Sequence, residues 1–453
     1  MATTASRRPL LPPGVVDLRG ELVGQRADGA TVAAIYTAVL LLTPAALIVR
    51  GLPLSITPAA LIGLGALVLW MCAHLTTTLG AAKGWNVART ALLLFLVSNL
   101  VSYGYASAGY LPRDELNLAD HAIALVLANL GIGLLVCDGV RGFARLDLVL
   151  KVAVVAGALI SVIGAIQFLT GFDLTRYMTA PGLRLSYDDV YVLERGSVRR
   201  VAATTAHPIE FGVVCAMLLP LGVHYARMAA LRGQPRLRWW LCTGLIAVGL
   251  MFSVSRSAVL SMVAIGAVLL AGWPRRLRWQ ALGVLLGFLA FIRVFVPGLL
   301  GTFYDLFANF FNDNSVTGRT HDYSTALREI QQHLLLGRGT GTWYVPKYEV
   351  FDNQYVQVTI DTGVIGLVIF LGMMVCAVFV ALAARRRSSD PQVRDLGLTL
   401  AACMVAPIIS SATFDFLSFA TVAGLMFVLV GAAGSLLRSV RANPCTAAGP
   451  RSS

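Results

Sequence analysis

Long apolar runs recur along the entire chain, and the polar residues between them gather in short segments rich in arginine, glycine and proline. Runs of about 18 or more apolar residues exceed what a soluble core uses and match the hydrocarbon thickness that a helix must cross. The pattern predicts about twelve spanning helices, near 30–49, 57–73, 90–108, 119–136, 146–169, 208–227, 238–254, 257–273, 279–296, 356–384, 395–411 and 414–437. The segments at 257–273 and 279–296 are short and meet at Pro274-Arg275-Arg276, so a tilted hairpin or a partly re-entrant pair is the alternative there. Two connections, 170–207 and 297–355, are long. The fold class predicted is all-α: a polytopic integral membrane protein with a large extracytoplasmic loop that contains a short amphipathic helix. That helix is predicted over His321–Leu336, where Tyr323, Ala326, Leu327, Ile330 and Leu334 recur at helical spacing. Thr320 is placed to cap its start and Gly337 to end it. An outer loop with its own apolar stripe must pack on the mouth of the membrane domain or on a lipid substrate. No internal repeat of the kind found in many secondary transporters is visible.

Composition agrees: 57% of the residues are hydrophobic and only 13% charged, against about 25% charged in ordinary soluble domains. The net charge of +13 would suit a nucleic-acid partner if the basic residues formed one face, but they fall in short clusters between apolar runs. Nucleic-acid binding is excluded on that ground. Alternate connections carry Lys83 and Arg89; Arg141 and Arg145; Arg227, Arg232, Arg236 and Arg238; Arg275, Arg276 and Arg278; and Arg385, Arg386, Arg387 and Arg394. With Arg7, Arg8, Arg19 and Arg26 at one end and Arg438 and Arg441 at the other, the positive-inside bias puts both termini in the cytoplasm. The expected organisation is a cytoplasmic tail over 1–29, a transmembrane domain over 30–437 and a second cytoplasmic tail over 438–453. Residues 1–28 do not resemble a cleavable signal peptide. Seven cysteines, without CxxC spacing and mostly inside apolar stretches, read as small hydrophobes.

The unusual polar clusters all fall on the side predicted to face outward. Arg199 and Arg200 lead through His207 into a helix that starts at Pro208 and carries Glu210 in its first turn. Proline and an acid are ordinary helix-start residues; Arg200 is not needed for that. Arg256, in Ser253-Val254-Ser255-Arg256-Ser257, sits between two apolar runs. A charge at mid-membrane costs roughly 3 kcal/mol, and less near the edge, so it either snorkels to the interface or meets an anion. Arg293 is the weaker, interfacial case. Gly318-Arg319-Thr320-His321-Asp322 and Gly337-Arg338-Gly339-Thr340-Gly341-Thr342 form a third cluster, without the lysine of a nucleotide-binding P-loop. Asp352-Asn353 precedes a long span, as capping residues or as functional groups, and Asp361 lies one or two turns inside it. Guanidinium groups bind diphosphate bidentately without titrating, and a nearby carboxylate or histidine can take a proton from an attacking hydroxyl. No metal-ligand spacing is visible on the outward side; Asp188-Asp189 is adjacent rather than DxD.

Taken in order, Arg200-x7-Pro208, the Ser255-Arg256 pair after a span, Arg319…Gly337-x-Gly339 and Asp352-Asn353-x9-Gly363-Val364-Ile365-Gly366 resemble the O-antigen ligase and O-antigen polymerase superfamily of bacterial membrane glycan transferases. The resemblance covers about residues 200–370 closely. It implies an all-helical membrane fold of the glycosyltransferase-C type. It also implies transfer of a glycan from a polyprenyl-diphosphate carrier to a glycan, lipid or protein acceptor, at the outer face of the cytoplasmic membrane, without metal or other cofactor. Arg200 and Arg256 would hold the diphosphate, and Arg319 would assist or order the loop. Arg199, Arg338 and Asn353 are further expected substrate contacts. Ligases acting on lipid A–core sugars carry His-Asn where this chain has Asp352-Asn353. Asp352 then becomes the expected general base, with His207 and His321 as fallback bases, and the departure leaves ligase and polymerase both open. The competing reading is a transporter or flippase of lipid-linked sugars, which would need ionisable residues along the middle of its spans, where this chain has almost none. A non-catalytic scaffold is the third reading.

Overall fold

A computed structural model describes residues 28–52, 54–76, 84–186, 193–195, 198–296, 298, 301, 314–344, 347–349 and 351–442, with only the backbone for 193–195, 198 and 314–322. The tail arginines Arg7, Arg8, Arg19 and Arg26, together with Lys83, Asp188, Asp189 and Cys445, lie outside the described residues. The described helices are α1 Gly29–Leu42, α2 Pro58–Leu75, α3 Val87–Ser107, α4 Arg113–Leu134, α5 Phe143–Thr170, α6 Pro208–Leu231, α7 Leu237–Phe252, α8 Arg256–Gly272, α9 Arg275–Phe295, α10 Asn314–Gln332, α11 Gln354–Arg387, α12 Pro391–Ser410 and α13 Ala420–Ala442. Four three-residue strands pair antiparallel in twos: β1 Leu47–Val49 with β2 Leu183–Leu185, and β3 Leu193–Arg195 with β4 Val198–Arg200. Among the described residues, nine helices are long and apolar enough to cross a membrane. Three shorter apolar ones, α1, α7 and α8, occupy three more of the expected spans.

Several boundaries differ from the sequence expectation, three of them with a visible local reason or consequence. The first helix stops at Leu42, not at 49, because Pro44 cannot continue it and Leu47-Ile48-Val49 pairs as β1. The last begins at Ala420 rather than 414; Phe416–Ser418 forms a 3-10 turn ahead of it. The amphipathic helix runs over Asn314–Gln332, so Thr320 lies inside it and not at its cap. Gly337, expected to end the helix, instead closes the turn after it at φ 74°. The apolar stripe divides: Ala326 is buried and Ile330 packs with Trp343, Phe351 and Ile360, while Tyr323, Leu327 and Leu334 are exposed.

Packing centres on α13, whose residues from Thr421 to Leu437 are all buried. Small residues allow its neighbours to approach: Gly431 lies against the carbonyl of Gly133, and Gly131 against that of Gly63. Without a hydrophobic drive between helices in lipid, such close backbone contact is what holds a bundle together. At the opposite extreme, Ile292 is the sole buried residue of α9, where Val284 stands exposed, and Leu61, Val68, Val263 and Phe379 stand exposed on other helices. Large exposed apolar side chains on a helical bundle suit contact with lipid.

The ends of the bundle differ. At the arginine-rich end, a π-helical turn (Leu135–Gly139) presents buried Asp138, which accepts from Trp70 Nε1 at 3.0 Å, Arg438 Nη1 at 3.2 Å and Arg89 Nη1 at 3.3 Å. A buried carboxylate so satisfied ties the basic side chains down. The other end carries the helix starts α6, α8, α11 and α13. There α11 is broken: Gly363 adopts φ 70°, ψ −175°. The loop after α10 inserts its backbone into the gap. Val364 N–H donates to Leu334 O at 2.9 Å, Arg338 N–H to Ile360 O at 2.7 Å and Gly339 N–H to Asp361 O at 3.0 Å. The groups a helix break orphans are thus satisfied by the loop, which explains the spacing of Gly337, Gly339 and Gly363.

Candidate active site

Two strained turns that touch each other carry the first two arginines. Arg200 ends β4, and the next residue, Val201, donates its N–H to Phe252 O at 3.4 Å, at the end of α7. Arg256 opens α8 four residues later, with Ser255 as N-cap. Gly212, in the first turn and a half of α6, has Ser253 and Ala258 so close that a Cβ would overlap them. The start of α6 therefore lies directly on the turn that carries Arg256. The non-glycine residues at positive φ, Ala203 (52°) and Val254 (45°), belong to these two turns. For a β-branched valine this is a genuine outlier, and such strain concentrates at ligand sites. Arg256 also stands at the positive end of a helix dipole, where a cation is disfavoured unless an anion joins it.

His207 caps α6, its Nδ1 accepting from Ile209 N–H at 3.2 Å. Burial, and then the positive charge of Arg200, pushes its pKa down to about 4, while Asp352 nearby pulls the other way. His207 is therefore neutral at physiological pH, and Asp352 stands within electrostatic reach of it. Asp352 itself is exposed. Behind it lies Asp415, between α12 and α13. Its Oδ2 accepts from Ser418 Oγ, and its buried Oδ1 has no partner among the described residues. Burial, reinforced by the charge of Asp352, raises its pKa to about 6. A carboxylate with that affinity for protons suits general-base work near neutral pH.

Of the remaining expected site residues, Asn353, Arg199 and Arg338 have structural partners. Asn353 is the N-cap of α11, accepting from Tyr355 N–H at 3.0 Å and Val356 N–H at 3.4 Å. Arg199 closes the end of α5, donating to Phe168 O at 3.1 Å and Leu169 O at 3.3 Å. Arg338 pairs with Glu115 at 3.2 Å and with Glu329 at 3.5 Å, and lies over the ring of Tyr348. With Lys347, which holds Asp114 at 3.1 Å and Glu115 at 2.6 Å, it latches the loop to the start of α4. Arg319 and His321 lie on α10, and their side chains are outside those described. Glu210 accepts from Ala206 N–H and from Thr421 and Val422 N–H at 2.8, 2.8 and 3.1 Å, so it caps α13 from across the bundle. Arg293 is exposed on the outermost helix.

Beside Asp415 a cavity of about 510 Å³ runs in between α3, α4, α11 and the loop. Asp361 lines it and accepts from Gln357 Nε2 at 3.3 Å. Trp343, Tyr344 and Phe351 form an aromatic wall. Sequence reasoning missed Asp415 because Phe414, Phe416, Leu417 and Phe419 carry the apolar run of the last span straight across it. An acid inside an apolar run was the signal available. It also missed His121 and Asn129, which line the cavity from α4.

No curated protein matches the chain. Residues 241–371, from α7 through the broken part of α11, match a protein family described as O-Antigen ligase. This segment holds Arg256, Asp352, the glycines of the break and the loop they admit, and the match supports membership of the O-antigen ligase and polymerase superfamily.

Proposed function

We propose that the protein transfers a glycan from a polyprenyl-diphosphate carrier to an acceptor hydroxyl, in cell-envelope polysaccharide assembly, as a multi-pass protein of the bacterial cytoplasmic membrane. In this reading twelve helices span the membrane, both termini are cytoplasmic and the site faces outward, a placement that the arginine distribution supports. One observation carries the proposal. The turns that bear Arg200 and Arg256 touch at the starts of α6 and α8, His207 at the first of these lies within electrostatic reach of both Arg200 and Asp352, and Asp415 lies within reach of Asp352. Helix N-termini and guanidinium groups together make a diphosphate site.

The chemistry follows from the arrangement. The acceptor oxygen attacks the anomeric carbon as the carbon–oxygen bond to the diphosphate breaks. The leaving electron pair stays on the diphosphate, where Arg200 and Arg256 stabilise it. The hydroxyl proton passes to Asp352, with Asp415, whose proton affinity burial raises, behind it. Arg319, His321, Arg199, Arg338 and Asn353 act as substrate contacts or as supports of the loop and helix ends that hold the site. The reaction draws on no metal or other cofactor in this reading.

The test is transfer by purified protein, given a lipid-linked oligosaccharide and an acceptor, followed across pH. The rate falls as pH drops through about 6, where Asp415 takes up its proton and the base pair of carboxylates is lost. In Asp415→Asn this limb is absent and the residual rate is flat through that window. A limb that survives unchanged in Asp415→Asn removes the carboxylate pair from the mechanism.

A further inference from the structure

The cavity beside Asp415 has the chemistry of a saccharide subsite of restricted charge. Tyr344 and the buried Trp343 and Phe351 line it together with planar polar groups, His121 and Asn129 from α4 and Gln357 and Asp361 from α11, a mixture that suits the apolar and hydroxyl faces of a sugar ring. Two of its polar atoms, His121 Nδ1 and Asp415 Oδ1, are buried without a hydrogen-bond partner among the described residues. Buried polar groups left unsatisfied are uncommon, and here both line one cavity, which marks a place for hydroxyl groups that donate and accept. Three carboxylates line it (Glu349, Asp361 and Asp415), and among the described residues no arginine or lysine does. The nearest cations of the loop, Arg338 and Lys347, are held by Glu115, Glu329 and Asp114 at the latch.

We propose that this cavity binds the acceptor sugar, and that it admits an uncharged or amine-bearing sugar while rejecting one that carries phosphate or carboxylate. The inference rests on the glycan-transfer reading above. Its direction follows from displacement geometry. The nucleophile approaches the anomeric carbon from the side opposite the leaving group, so a diphosphate on Arg200 and Arg256 sends the acceptor to the far side of the carboxylates. Asp415 bridges the two, close to Asp352 on one side and part of the cavity lining on the other. An anionic sugar there would meet Glu349 and Asp415, while the guanidinium of Arg338, over the ring of Trp343, is already engaged by Glu115 and Glu329, a juxtaposition that discriminates against negative charge.

The experiment is photo-crosslinking of the full chain in lipid nanodiscs with diazirine-bearing octyl β-D-glucoside, octyl β-D-glucosaminide and octyl β-D-glucuronide, with a sugar-free octyl tetraethylene glycol as control. The first two are expected to label peptides spanning 118–129 and 340–361. The glucuronide is expected to label them about tenfold less, and His121→Leu and Asn129→Leu to lower the specific labelling without changing the elution volume. Equal labelling by the glucuronide, or no sugar probe above the control, overturns the proposal. Labelling needs no turnover and is expected to persist in Arg256→Ala. Lost labelling with transfer still dependent on Arg256 therefore sinks the subsite alone. Intact, selective labelling with transfer indifferent to Arg256 sinks the transfer reading instead.

Discussion

Arg256→Ala is expected to lower the transfer rate by roughly 100-fold to 1,000-fold, the usual cost of losing one preorganised group that faces developing negative charge. Arg256 opens α8 at the positive end of its dipole, on a turn held by Gly212 and by the strained Val254. Its removal relieves charge at the helix start, so the variant is expected to fold and to keep its thermal midpoint. Arg256→Lys should recover part of the rate, since a lysine supplies the charge but not the bidentate fork. The loss belongs in kcat more than in KM, because charge on the diphosphate grows as the carrier leaves. Arg293→Ala, on the exposed end of α9, is the control that leaves the rate unchanged.

The second large effect is structural. Gly363→Ala should destabilise the loop–helix junction by on the order of 3 kcal/mol. The φ 70°, ψ −175° conformation of Gly363 is open essentially to glycine alone. A Cβ there would also overlap the Leu335 carbonyl, and one at Gly337 would overlap that of Asp361. The three loop-to-helix hydrogen bonds around the break would be lost with it. Limited trypsin digestion reads the outcome: cleavage after Arg338 and Lys347 speeds up in Gly363→Ala. Gly372→Ala, in the same helix with open space around its Cβ position, stays at the wild-type rate.

Much of this was legible in the chain. Apolar runs gave the bundle because the bilayer imposes length and internal hydrogen bonding on any spanning segment. Arg200 and Arg256 stood out because a helix start or a membrane edge does not need them, and the structure brings their turns into contact. Less legible was anything that depends on distant backbone. Gly337, Gly339 and Gly363 read as turn and motif glycines, whereas their spacing reflects a loop threaded into a helix break. Arg199 and Asn353 looked like substrate contacts, and their dominant observed partners are the ends of α5 and α11. Glu210 looked like an acid at its own helix start, yet it caps α13 from another part of the sequence. Asp415 was hidden by the phenylalanines around it, since hydropathy averages a lone carboxylate away.

The most direct test of the central claim is the affinity of free polyprenyl diphosphate for the purified protein in lipid nanodiscs, compared between the wild type and the Arg200→Ala/Arg256→Ala double variant. The diphosphate is predicted to bind the wild type and to lose about 100-fold in affinity in the double variant, about 2.8 kcal/mol at ~1.4 kcal/mol per tenfold. Equal affinity in the two proteins, with folding intact in both, would contradict the account.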